Sequence, residues 1–186
     1  METIKLTIQK KAVSILFHGA LLSLVLVLSS LITPAPKLSD AQIAMVQVVD
    51  NQNDVSSAKM AKEKSNNAEV LKFADTMIKD HQSILNKVNA LCKKLKVTPM
   101  ASDLSKKMNA EAANSKKIFM AKTDKKFDKA YIDAEVAEHK EGIKTLQNVL
   151  IPQTQNAELK ALLIKVLPIL KMHLAHAEEI QKMLSN

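Results

Sequence analysis

The chain has 186 residues and a formal charge of +8, with 47% hydrophobic and only 3% aromatic residues. Two glycines, no tryptophan and one tyrosine exclude a sheet-rich fold, which would draw on aromatic and β-branched residues and glycine turns. Every positive side chain is lysine; without arginine forks or an aromatic stacking surface, the charge reads as a solvated exterior and no nucleic acid is expected as a partner.

Residues 1–37 read as an address. "METIKLTIQKK" carries Lys5, Lys10 and Lys11, and an almost wholly apolar run, "AVSILFHGALLSLVLVLSSLI", follows. A basic start before an apolar run is the pattern of a secretory signal. A length of about twenty residues also approaches that of a membrane span. The segment is therefore expected to be a signal peptide or an N-terminal anchor in the inner membrane, ending in the linker "TPAPKLSD". Lysines before the run and few after it place the following domain in the periplasm, either free or anchored. His18 belongs to this leader, and the absence of cysteine there excludes a lipoprotein anchor.

From residue 38 onward the pattern is helical. Helix A is expected over 40–64, capped by Ser39 or Asp40, and helix B over 67–95, started by Asn66 or Asn67. "KVTPMASD" breaks the chain, and Asp103 is expected to cap a shorter helix to 121. Helix C follows over 125–151 and helix D over 156–184, with Pro168 expected to kink the latter. Helices B, C and D carry apolar residues at steps of 4 and 3, as in Val70, Ala74, Met77, His81, Ile84 and Val88. That is the seam of a bundle. The fold class is therefore all-α, an antiparallel four-helix bundle with one additional short helix, over residues 38–186. Cys92, the only cysteine, reads as a small buried hydrophobe. Helix A differs: Ile43, Gln47, Asp50, Asp54, Ser57 and Ala61 share a largely polar face. Either it packs loosely or that face points at something inside.

Three seam positions, on three helices, are histidines: His81, His139 and His173. Each lies near mid-helix, as does Asp54 on helix A. At roughly 1.5 Å of rise per residue, the four fall within a turn or two of one height. The segments "FADTMIKDH" and "YIDAEVAEH" also echo one another, matching Phe73 with Tyr131 and His81 with His139. Three imidazoles and a carboxylate suit a divalent transition metal such as zinc, copper or iron, with His81, His139, His173 and Asp54 as candidate ligands. Asp80 and Glu138 lie off the seam; each could receive an imidazole N–H from another helix. His176, on the seam's flank, reads as a rim residue. The same histidines could instead form a neutral polar layer that only fixes the register of the bundle. Both readings stand on the sequence alone. No serine nucleophile motif, phosphate loop or catalytic carboxylate pair marks an enzyme.

The pieces "NAEVLKFADTMIKDH", "FDKAYIDAEVAEHK" and "LPILKMHLAHAEEI" resemble the DUF4142 family of exported bacterial proteins over roughly residues 38–182. The resemblance implies a ferritin-like four-helix architecture behind a signal peptide or membrane anchor, with no defined activity. It also implies histidines at 81, 139 and 173, and a glutamate in the first helix where this chain has Asp54. The Glu-x-x-His pairs of ferritin-like di-iron proteins are missing, since Ile78 and Val136 stand three residues before His81 and His139. Di-iron oxidation and iron storage are therefore not expected. Function is left as an envelope bundle binding a transition metal, or a non-catalytic structural or interaction bundle.

Overall fold

Helix ends in this chain are set by short polar side chains. In the computed structural model, which describes residues 37–185, Ser39 opens α1 (Asp40–Lys64) with a reciprocal capping box to Gln42. Asn67 accepts the Glu69 and Val70 N–H groups at the start of α2 (Ala68–Leu95). Ser102, not the expected Asp103, caps α3 (Asp103–Met120) through a second box with Ser105. α4 (Asp124–Thr145) and α5 (Ala157–Ser185) complete the set. Of the expected leader, residues 1–37, all but Lys37 lies outside the described residues. Among those described, no helix is long and apolar enough to cross a membrane.

Two ends use less common devices. Lys96 takes a left-handed conformation (φ 55°) at the end of α2, and Val97 N–H bonds the Cys92 carbonyl at 3.0 Å, closing the last turn without a glycine. α4 does not run uniformly to 151 as expected. It widens into a π-helical turn (Leu146–Leu150), where the Ile151 N–H reaches Leu146 O, and ends in a short turn (Ile151–Gln153). Pro152 has no N–H to offer Asn148, so the ordinary ladder cannot continue there. Pro168 is exposed, and α5 continues through it to Ser185.

The direction of each helix follows from the core it meets. One apolar cluster holds Ala58, Ala61, Phe73, Met77, Phe127, Tyr131, Ala177 and Ile180. The other holds Ile43, Val46, Ile84, Val88, Leu146, Leu150, Leu163 and Leu170. α1 and α5 run from the second cluster to the first, and α2 and α4 run the opposite way. α1 pairs with α2 and α4 with α5, while α2 on α5 and α1 on α4 close an antiparallel four-helix bundle. α3 carries the chain back outside it, from Leu104 beside the second cluster to Phe119 in the first. Between the clusters every bundle helix presents polar residues: Asn51 and Asp54, His81, Glu135 and His139, His173, all buried. A polar layer thus cuts the core in two.

Val88 and Leu170 lie in the second cluster at 0% and 4% exposure. Each, changed to alanine, should lose about 1–5 kcal/mol in urea unfolding. The exposed Lys116→Ala should stay within about 0.5 kcal/mol. Equal losses from both classes would show that the clusters do not hold the bundle.

Candidate metal centre

The three seam histidines meet in the polar layer. Their ring centroids are 5.7 Å apart for His81 and His139, 5.2 Å for His81 and His173, and 5.4 Å for His139 and His173. One nitrogen of each ring lies within 4.8 Å of one nitrogen of each of the others. Burial lowers all three imidazoles; His139 falls to about 3, with His81 and His173 pushing the same way. At neutral pH the rings are uncharged, so each has one N–H and one lone pair.

Hydrogen bonds fix which nitrogen carries which. Asn51 donates its amide to the Gln47 carbonyl at 2.7 Å, which leaves its Oδ1 as an acceptor 3.0 Å from His81 Nδ1. Asp54 Oδ2 is 3.2 Å from the same nitrogen. His81 therefore holds its proton on Nδ1. His139 Nδ1 donates to the Glu135 carbonyl at 2.9 Å, one turn back on α4. His173 Nε2 donates to Asp80 Oδ2 at 3.0 Å, on another helix. All three N–H groups thus point away from the centre. The nitrogens that remain, His81 Nε2, His139 Nε2 and His173 Nδ1, are buried with no partner.

These three lone pairs are the structural test for a metal. A self-satisfied histidine layer would turn one ring's N–H into another's lone pair, and none does so. Leaving a buried acceptor bare costs about 1–3 kcal/mol. A metal holding three imidazoles at about 2.0–2.1 Å needs nitrogens about 3.4 Å apart, so the rings need only close in slightly. The oxygens on the outward nitrogens fix the tautomers, as the outer partners of a metal site do.

Asp54, expected to add a fourth donor, stands one step out, on the outward nitrogen of His81. Asp80 receives an imidazole N–H from another helix, whereas Glu138 is exposed and accepts the Ser115 hydroxyl at 3.3 Å. His176 stays outside the centre, packed edge-on against Phe73 at 5.3 Å. Two participants escaped the sequence reading. Asn51 lies three residues before Asp54 on the buried stripe of α1. Glu135 lies four before His139, the spacing that puts two side chains on one helix face. Both Glu135 carboxyl oxygens are buried without a partner, one of them 3.5 Å from His139 Nδ1. Burial, reinforced by Asp54 and Glu138, pushes Glu135 well above the usual carboxylate range. Asp54 is raised by burial and by Glu138.

The centre is not sealed. A cleft of about 140 Å³ between α1, α3 and α4 is lined by Gln47, Asp50, Asp54, Met108, Glu138 and His139, among others. Burial, then the Asp54 carboxyl, raises Asp50 to about 7.

The profile described as "Domain of unknown function (DUF4142)" matches residues 27–180. The chain belongs to the DUF4142 family. Among solved structures, "CopM in the Cu(II)-bound form" is similar, with a TM-score of 0.60 and 16% identity, covering 78% of this chain and 98% of that one. At such identity the likeness is one of fold. No curated protein matches the chain significantly. For this DUF4142 member the arrangement of the centre therefore rests on its own residues.

Asp50 provides a pH test of the electrostatics. Its pKa is 3.8 in the ordinary state and about 7 in the fold, so the native state holds the proton more tightly. That stabilisation is complete below pH 3.8 and is lost as the pH rises through about 7. In chelator, the stability of Asp50→Asn relative to wild type should climb between those two values. A flat difference would place Asp50 in open solvent.

Proposed function

We propose that this protein binds one divalent transition metal ion through His81, His139 and His173, as a metal-binding or metal-sensing module of the cell envelope. The observation that carries the reading is the set of three converging lone pairs, His81 Nε2, His139 Nε2 and His173 Nδ1, buried without partners while every N–H points outward. Neutral imidazoles suit zinc, copper and iron. The similar CopM chain was solved in a Cu(II)-bound form, which makes copper the first ion to test. Asn51, Asp54 and Asp80 hold the rings, and the buried acids Asp54 and Glu135, which burial keeps protonated, would release protons to offset a bound dication. When bound, the ion would serve as a Lewis acid or a redox centre, and the chain's own residues fix the imidazoles and limit water to one cleft. The basic and apolar leader supports a location outside the cytoplasm, free in the periplasm or held to the inner membrane.

An ion that binds the fold and not the unfolded chain stabilises the fold. Copper or zinc added to chelated, untagged protein should raise the melting temperature. His81→Ala, His139→Ala and His173→Ala should each abolish most of the gain. Asp54→Ala should weaken it, and His176→Ala should leave most of it. If the histidines only set packing and register, the same three changes lower stability in chelator and metal makes no difference. Elemental analysis of untagged protein then reads the native ion. Cell fractionation tests the location: wholly cytosolic protein with an intact N-terminus would overturn it.

A further inference from the structure

The bundle domain from residue 38 onward carries 23 lysines against 18 acids, a formal charge of +5. Its overall field therefore repels the cation that its centre is built to take, and entry has to rely on local charge. The cleft between α1, α3 and α4 concentrates acidic side chains, and those that the fold holds protonated would give up protons to an arriving dication. Asp50 and Asp54 on α1, Glu111 on α3, and Glu138 and Glu141 on α4 all line it. Lys107 is the one lysine among them, and it lies 3.6 Å from Glu111 on its own helix.

A second observation points to a ligand independently of these acids. Gln47 also lines the cleft, is 3% exposed, and its Oε1 is a buried acceptor with no partner. Buried acceptors in native folds are nearly always satisfied. The same cleft is also lined by His139, whose Nε2 is one of the three bare lone pairs. The cleft wall thus combines the exposed Glu138, the partly buried Asp50, the buried Asp54 and Gln47, and His139 of the histidine centre. Oxygen donors hold a hydrated cation loosely, and imidazole takes it after water is shed. A volume of about 140 Å³ leaves room for an ion with several waters.

We propose that this cleft is the loading route for the histidine centre, a carboxylate- and carbonyl-lined station that captures a hydrated divalent transition metal ion and passes it inward to His139. Asp50 and Glu138 set the rate of capture and are not ligands in the final site. The inference rests on the histidine centre binding metal, and a kinetic experiment separates the two. Chelator-stripped full-length protein is mixed rapidly with Cu(II) chloride, and loading is followed by quenching of its one tyrosine, Tyr131. The double variant Asp50→Asn, Glu138→Gln should load about tenfold more slowly at low ionic strength and lose most of the salt dependence of the rate. Its final Cu(II) content should match wild type. Glu69→Gln with Glu179→Gln, a pair of carboxyl-to-amide changes on exposed positions that do not line the cleft, should load at the wild-type rate. If the double variant does not fold, Glu138→Gln alone, at an exposed position, must still slow loading. Wild-type loading in the cleft variants, or equal slowing in the control, would overturn the route and leave the centre standing. Wild-type protein that takes up no Cu(II) would overturn both.

Discussion

Three neutral imidazoles meeting lone pair to lone pair inside a helical bundle is the constraint on which the rest depends. His81, His139 and His173 could satisfy one another if any ring turned over. They are prevented by oxygens set behind them: Asn51 and Asp54, the Glu135 carbonyl, and Asp80. Each outward hydrogen bond returns part of the cost of burying a polar ring, and together they leave the inner face electron-rich. That is a poor design for a core that only needs to pack. It leaves three nitrogens that could hold a metal ion.

The layer also explains why the apolar core comes in two clusters and why α1 lacks one clean apolar stripe. The first helix buries Gln47, Asn51 and Asp54 as well as Ile43 and Ala58, because its inward face crosses the polar layer. Its polar face, ambiguous as a sequence, is the support for His81 and one wall of the cleft. The other three bundle helices keep apolar residues above and below a single layer of polar ones. Phe73 and Tyr131, matched in the internal echo, lie 6.2 Å apart below the layer, and His81 and His139, matched in the same echo, meet within it. The related segments sit on α2 and α4, which run in the same direction on opposite corners of the bundle.

α3 is more than a connector. It buries only Ser105 and Phe119, yet it roofs the cleft that leads to the centre. It lies against α1 and α4 and is held by fewer buried apolar residues than the bundle helices. Its Ser115 hydroxyl donates to Glu138, so a contact between α3 and α4 involves one of the acids of the proposed route.

The sequence by itself determined the helices, their order and the seam, because apolar steps of 4 and 3 and the caps are local properties of the chain. It also singled out the three histidines, since their seam positions at mid-helix follow from counting residues. The wider turn at Leu146–Leu150 lay beyond that counting, although Pro152 is its local cause. Only the tertiary structure decided which nitrogen of each ring faces its neighbours: the oxygens behind His81 and His173 come from other helices, and His139, held by the Glu135 carbonyl of its own helix, meets them only in the assembled bundle. For the same reason it moved Asp54 from a fourth ligand to the back of His81, and it brought in Asn51 and the backbone of Glu135. The cleft, too, is a product of packing: its walls come from α1, α3 and α4, and no segment of the sequence contains its shape.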